Sequence, residues 1–409
     1  MIDAGLWTRV ETRLLGARPA ALAAELVRIP SHPGLPDQEQ AVARHLAGWL
    51  AGHGVRAELV EVAPGRPNVL ARIGTPDPAR CIVLCGHTDT VPLNADDPGH
   101  GFSGDVRDGR LLGRGSVDMK GPLAAMAAAV VALDGILDEH GGAVLLAAVV
   151  DEEMESIGAE ALVRDGLGAV AAVVGEPTGN RVALGHRGLE WIAVEFRGRA
   201  AHGGTPERGV NAIDSAARFV TLCRERLQGP FAARRHPLLG PPTLNFGTIH
   251  GGDQPSTVAA SCVLTLDRRS VPGETFETIR GELLVLLAEV EREMPGLATS
   301  LRRVDGGMAT LEHRALVTAE DHPLARAAFA ARRFVLGGDG GETPIAFPAW
   351  TDGALLAAFG GVPTIVLGPG DLADAHSPRE SIAVAEIDAA ARIYSALALV
   401  LTDDGPGRR

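Results

Sequence analysis

Two histidines and a set of carboxylates stand just past the ends of apolar runs in this chain. CIVLCG runs into His87-Thr88-Asp89, AVLLAAVV into Asp151-Glu152-Glu153, and AVAAVVG into Glu176-Pro177, while TIVLGPG is followed by a short loop to His376. Imidazole nitrogens and carboxylate oxygens are ligands for divalent cations of the zinc, cobalt and manganese kind. Polar residues past the carboxyl end of a buried strand stand where open α/β sheets bind their ligands. One such placement carries little weight; several in one chain point to a convergent site.

The spacing refines the chemistry. His87 and Asp89 are two apart, so along an extended strand both side chains face the same way. Asp89 is then placed to hold the second ring nitrogen of a metal-bound His87. Asp118 opens the run DMKGPLAAM. It is either an N-cap that satisfies free backbone donors or a carboxylate that bridges two cations. In Asp151-Glu152-Glu153, adjacent side chains point in different directions, so one glutamate can bind metal while its neighbour serves as base. Charge favours two cations. Asp118, Glu153 and Glu176 leave one positive charge uncompensated against two divalent ions, and a bridging hydroxide, also the nucleophile, would neutralise it.

The elements that must position these groups follow from the hydrophobic pattern. Asp37 begins DQEQAVARHLAGWLAGHG, which reads as a capped helix ending in glycine. RAELVEV, NVLARI and CIVLCG read as strands, DMKGPLAAMAAAVVALDGI as a long apolar helix, and AVLLAAVV and AVAAVVG as strands buried on both faces. This is an α/β pattern with helices covering a central mixed sheet. Near residue 187 the pattern changes. WIAVEFRG, TLNFGTIHGG and SCVLTLDRRS alternate, LATSLRRV could add a last strand, and NAIDSAARFVTLCRERL and ETFETIRGELLVLLAEVEREM read as amphipathic helices. Two helices on a small antiparallel sheet make an α+β insert at 187–304, so the core is split into 1–186 and 305–409. HPLARAAFAARRF, TIVLGPG and EIDAAARIYSALALVLT return to the core pattern, and the tail DDGPGRR reads as frayed.

Composition excludes several classes. A chain of 409 residues exceeds one typical core. Its net charge of −13 argues against a nucleic-acid partner, which needs a basic face. No apolar run reads as a membrane span and the N-terminus has no signal core, so the expected location is the cytoplasm. Cys81 and Cys85 are separated by roughly 13 Å along a strand. A disulfide needs Cα atoms within about 7 Å, so the reading is free buried thiols. Lys120 is the only lysine among 38 basic residues. Its survival in so arginine-rich a chain hints at a position that needs a compact ammonium.

The segments GHTDTVP, GRGSVDMKG, DEEMESIGAEAL, GEPTGN and GPGDLADAHSPRES together resemble the successive motifs of the M20 metallopeptidase and amidohydrolase family. The resemblance covers most of the chain, in order. It implies a zinc-peptidase-like catalytic domain interrupted by a smaller lid and dimerisation domain, a homodimer through that lid, and two divalent metal ions. Zinc is the expected metal, and the same ligands accept cobalt or manganese. His87 and Glu176 would bind one ion, Glu153 and His376 the other, and Asp118 would bridge them. Asp89 would orient His87, and Glu152 would be the general base. The bond Asp118–Met119 would be a cis non-proline peptide. In GRAAHGGTPERGVNAI, His202 would stabilise the oxyanion, in its own or the partner subunit's site. Arg269 in LDRRSVP would bind a substrate carboxylate, with Arg187 and Asn245 as further substrate-binding candidates.

Two departures bear on substrate. Ser256 stands where many members carry asparagine, and Ala349-Trp350 precede Thr351-Asp352 where several carry glycines. Trp350 either walls an apolar acyl pocket or belongs to the core. The activity implied is hydrolysis of the amide bond of an N-acyl amino acid. A dipeptidase or carboxypeptidase would use the same chemistry, and a non-catalytic ligand-binding protein on the same fold is the reading from another class.

Overall fold

The apolar runs become strands whose positions follow from their burial. In a computed structural model, which describes residues 2–75, 77–97, 99–306, 311–338 and 342–402, Cys81–His87 and Ala143–Val149 are strands buried along their whole length. The tail DDGPGRR lies outside the described residues. Strands hidden on both faces belong in the middle of a helix-covered sheet. These two lie side by side and parallel, with Cys81 opposite Ala143 and His87 opposite Val149. Ala171–Val174 runs parallel on the other side of Cys81–His87, and Thr364–Val366 extends the parallel set. The carboxyl ends of all these strands therefore share one edge. Antiparallel Arg66–Gly74 and Ala57–Ala63 flank them on one side, and Ala183–His186 with Leu316–Val317 and Ile345–Phe347 on the other.

The helix Gly121–Leu133 packs against Ala4–Ala17, Pro19–Val27 and Val384–Thr402. The segment Ser116–Leu133 is long and apolar enough to cross a membrane, but it is wholly buried in the fold and is a core helix with its leading turn. That helix does not open at Asp118, as the sequence suggested. It begins at Gly121, after a wide turn Ser116–Lys120 in which Asp118 and Met119 are non-helical and joined by a cis peptide bond. The expected cap at Asp37 is also displaced. The helix runs Gln40–Gly52, its N-cap is Glu39, and the Glu39 carboxylate binds Arg66 instead of the helix backbone.

The chain divides into two units, Met1–Gly185 with Leu316–Phe347 and Thr351–Arg409, and His186–Ala315 with Pro348–Trp350. The second contains an antiparallel sheet in the order Thr243–Gly251, Ser261–Ser270, Gly188–Arg197, Ala298–Arg303. Alternation decides which face is covered. Cys262, Leu264 and Leu266 are buried and share a core with Phe219 and Leu283 of the helices Ala212–Ala233 and Phe276–Glu293. Each such large side chain contributes about 1.5–3 kcal/mol on burial. Asn211 caps the first helix, and Thr275 with Thr278 forms a capping box on the second. All four cysteines are buried and free.

Candidate metal centre

The ligand candidates His87, Glu153, Glu176 and His376 are delivered by chain segments that leave the parallel strands at the same edge. His87 is the last residue of its strand, and Glu176 follows the strand Ala171–Val174 by two positions. Asp118 is presented by the wide turn. His376 sits beyond the short helix Leu372–Asp374 with a left-handed backbone (φ 55°), a conformation uncommon outside glycine. Asp151, which starts the acidic turn, is left-handed too (φ 72°). Its carbonyl accepts the N–H groups of Met154, Glu155 and Ser156, which folds that turn back on itself.

The geometry is two-sided about Asp118. Its Oδ1 lies 2.9 Å from His87 Nε2, and its Oδ2 lies 3.3 Å from His376 Nε2. On the first side, Glu176 Oε1 is 3.7 Å from His87 Nε2. On the other, Glu153 Oε1 is 2.9 Å from His376 Nε2. His87, Asp118, Glu176 and Asp89 are buried, and the His376 side chain is 49% exposed, so the His376 side opens to solvent. Glu152 groups with His87 and Glu176, with ligand atoms all within 4.8 Å of one another.

Asp89 faces His87 Nδ1 with its main-chain oxygen as well as its carboxylate. The nearest acceptor for His87 Nδ1 is the Asp89 main-chain oxygen at 3.0 Å; the carboxylate Oδ1 is 3.5 Å away. The carboxylate also accepts the N–H groups of Glu152 and Glu153 at 3.2 and 3.0 Å. Asp89 thus ties the His87 ring to the acidic turn.

So many acids in one buried place repel each other. Burial, and then Asp118, push the Glu176 carboxyl well above its ordinary range; burial, and then Glu176, do the same to Glu152. Burial and Asp118 also raise Glu153. Burial opposes ionisation of Asp118 most strongly, but hydrogen bonds to His376 and His87 outweigh it and lower its pKa. Hydrogen bonds to Asp118 and Glu153 raise the His376 imidazole to about 10. Glu176 Oε1 is buried with no hydrogen-bond partner. An orphaned carboxylate oxygen among like charges is costly unless a cation takes it. The donor set, two imidazoles and three carboxylates with one between the histidines, fits two divalent ions.

Several supporting residues escaped the sequence reading. Arg66 lies between two buried acids, donating to Glu39 Oε1 and to Asp151 Oδ1, each at 2.5 Å. Arg114 and Glu380 form a buried ion pair behind Asp118. Asp352 is buried with Oδ1 unpartnered, and burial raises its carboxyl to about 7. Arg114 and Glu380 lay inside quoted motifs, but charge alone did not separate them from surface residues. Lys120, which composition had singled out, is wholly buried and donates to the Ile29 carbonyl at 2.6 Å. Burial lowers its ammonium to about 7, opposed by Glu380 and Asp89.

His202, Arg187, Asn245 and Arg269 belong to the second unit. His202 is exposed on a loop, and its Nδ1 accepts the Gly204 N–H at 3.0 Å. A ring whose Nδ1 accepts carries its proton on Nε2, so the neutral imidazole presents an N–H donor outward. The Ser256 carbonyl accepts the Gly203 N–H and pins this loop. Arg269 is held by Asp267 through Nε and Nη2 at 2.8 and 2.9 Å, and Asp267 also accepts from Trp191 Nε1. The third guanidinium nitrogen, Nη1, takes no part in that pair. Arg187 donates to Thr243 Oγ1, and Arg269 opposes Thr243 in the sheet register. Asn245 lies two residues along the same strand from Thr243, opposite Asp267. Trp350 is a core residue of this unit: it is 8% exposed, stacks on His313 at 4.0 Å and donates to the Arg314 carbonyl.

The family model for peptidase family M20/M25/M40 matches residues 83–400. Acetylornithine deacetylase of Proteus mirabilis (strain HI4320) is 30% identical over 364 residues, which cover 85% of this chain and 87% of that protein. A solved M20 family metallo-carboxypeptidase from Sulfolobus solfataricus has a TM-score of 0.77 at 17% identity, covering 94% of this chain and 99% of its own. A dinuclear metal-binding peptidase of the M20 family from Bacillus subtilis has a TM-score of 0.70 at 14% identity, covering 98% and 99%. The two structures share this chain's fold.

Proposed function

This chain belongs to peptidase family M20/M25/M40 and is a metal-dependent amidohydrolase, and from that premise we propose that it hydrolyses the amide bond of an N-acyl amino acid. The observation that carries the proposal is the placement of Asp118, whose two oxygens face two histidines that each have a further carboxylate beside them. His87, Glu176 and Asp118 would hold one divalent ion; Asp118, Glu153 and His376 would hold the second. Zinc suits this donor set, as do cobalt and manganese. When bound, the ions would supply Lewis-acid polarisation of an amide carbonyl and acidify water toward hydroxide near neutral pH.

The protein's own groups do the rest. Glu152 Oε takes the proton from the attacking water and returns it to the leaving amine nitrogen. Its burial favours that role, because desolvation raises the carboxyl and so makes its carboxylate a stronger proton acceptor than one in water. The outward Nε2–H of His202, from its own or the partner's subunit, donates to the developing oxyanion. Arg269 carries the substrate carboxylate on its uncommitted side, with Arg187 and Asn245 on neighbouring strand positions completing that subsite. The second unit serves as lid and dimerisation domain. Its edge strand Thr243–Gly251 is exposed along most of its length, and an open edge is a template for pairing with another chain. We place the enzyme in the cytoplasm as a homodimer, consistent with its four reduced cysteines.

The test is amine release from N-acetyl, N-succinyl and longer N-acyl amino acids and from dipeptides, with zinc or cobalt added and a chelated control. Chelator-sensitive release from one N-acyl group is the expected result. Release from dipeptides alone would move the assignment to a dipeptidase. No release from any substrate, with two metals bound, would sink the deacylase reading.

A further inference from the structure

The two-sided geometry depends on one carboxylate, so an error in the Asp118 backbone would misplace both halves of the centre. That backbone is gripped by a second carboxylate. Glu380 Oε1 accepts the N–H of Val117 at 2.9 Å and the N–H of Asp118 at 3.2 Å. Its other oxygen accepts from Arg114 Nη1 at 2.5 Å. Arg114 Nη2 reaches Asn94 Oδ1, and the Glu380 carbonyl accepts the Gly113 N–H at 3.0 Å. The side chains of Arg114 and Glu380 are 2% and 1% exposed.

Glu380 follows His376 by four residues. One buried ion pair therefore joins the turn that presents Asp118 to the loop that presents His376, which are the two groups that would share the second ion. A buried pair adds little stability over apolar side chains of the same volume, so stability is a poor reason for its presence. Satisfying two backbone donors at a bend that must present a carboxylate in two directions is a better one.

We propose that Glu380, with Arg114 as its counter-ion, is a positioning residue for the metal centre: it fixes the Asp118 backbone so that both Asp118 oxygens meet the two histidines, and thereby tightens binding of the second ion. This rests on the two-metal reading of the site.

The test compares the full-length wild type with Glu380→Gln, Arg114→Lys and the double variant Arg114→Met/Glu380→Gln. Chelator competition gives the affinity of each ion, the cobalt-loaded proteins give visible absorption spectra, and thermal unfolding of the metal-free proteins reports folding. The double variant leaves neither member of the pair as an unpaired charge. Expected are ~10–100-fold weaker binding of the second ion and a changed cobalt spectrum in both Glu380→Gln and the double variant, with Arg114→Lys, which keeps the charge pair, close to wild type. A double variant that binds both ions as tightly as wild type, or that does not fold without metal, overturns the proposal and makes the pair a structural device. A wild type that binds fewer than two ions would instead undo the two-metal reading itself.

Discussion

The Asp89 carboxylate accepts the backbone N–H of Glu152 at 3.2 Å, while the Asp89 carbonyl faces His87 Nδ1 at 3.0 Å. One residue thus holds the His87 ring and, through its side chain, the acid turn. Asp89→Asn keeps the size but turns an amide donor toward N–H groups at Glu152 or Glu153. The expected outcome is a fall in kcat of about 10–100-fold with weaker metal binding. A kcat within twofold of wild type would show that the turn is held by other contacts.

Glu152 has a carboxylate oxygen within 4.8 Å of the candidate donor atoms of His87 and Glu176, so its proposed role as base needs separating from a role as ligand. Glu152→Gln removes the proton acceptor and keeps the shape. We expect kcat to drop by about 10²–10⁴, with KM nearly unchanged and two ions still bound by elemental analysis. Glu153→Ala and His376→Ala should each lose one ion. If Glu152→Gln also lost an ion, Glu152 would be a ligand and the base would have to be sought elsewhere.

Metal removal should be visible in stability as well as activity. Without cations, burial first and mutual repulsion second disfavour the ionised Glu152, Glu153 and Glu176 carboxyls. An ion that binds only the folded chain stabilises it by roughly 2.7 kcal/mol at a free concentration one hundred times its Kd. The chelated protein should unfold several degrees lower than the loaded one, and zinc or cobalt should restore the midpoint. Equal midpoints would mean that the cluster holds no cation.

The parallel strands and the residues at their ends were legible because burial on both faces leaves a continuous apolar run, and a polar residue ending that run is conspicuous. The cis peptide at Asp118–Met119 and the cysteines without disulfides also agree with the sequence reading. The N-terminal helices Ala4–Ala17 and Pro19–Val27 were not foreseen. The start of the helix after Asp118 was misplaced because the wide turn has no periodic signature. The buried partners were harder still. Arg66, Arg114 and Glu380 look like surface charges in a linear pattern, and only tertiary packing shows that their counter-ions are buried with them. The position of Trp350 was undecidable for the same reason, because its partner His313 is remote in sequence.

Arg66 offers a test of how far the acid turn depends on distant support. It joins buried Glu39 to Asp151, the left-handed residue from which Glu152 and Glu153 follow. Arg66→Met leaves two buried carboxylates without a counter-ion, although Asp151 Oδ2 still accepts the Glu155 N–H. Truncating one side of a buried pair costs about 3–5 kcal/mol. A urea unfolding curve should show a loss of that order at pH 7, smaller at pH 5 as the stranded acids take up protons. The paired variant Arg66→Met/Glu39→Gln should recover part of it. A loss below about 1 kcal/mol would mean that water reaches this arginine and screens it.

The second unit supplies a pH signature of its own. His186 and His313 pack around Trp350, and burial lowers each imidazole to about 4; Arg303 adds to the effect at His313. The unfolded chain takes up a proton on each near pH 6.5, whereas the folded chain does so only near pH 4. Between those values the unfolded state binds more protons, so stability falls as pH drops through this window and is unaffected by these groups above it. At about 1.4 kcal/mol per pKa unit, each histidine withdraws on the order of 3 kcal/mol by pH 4. His313→Phe keeps an aromatic face for Trp350 and removes the titration. Its urea midpoint, followed by tryptophan fluorescence, should match wild type within a small margin at pH 7.5 and exceed it increasingly from about pH 6 to pH 4.5. Parallel pH profiles for the two proteins would mean that His313 is protonated as easily in the fold as outside it, and that the stack on Trp350 does not exclude water.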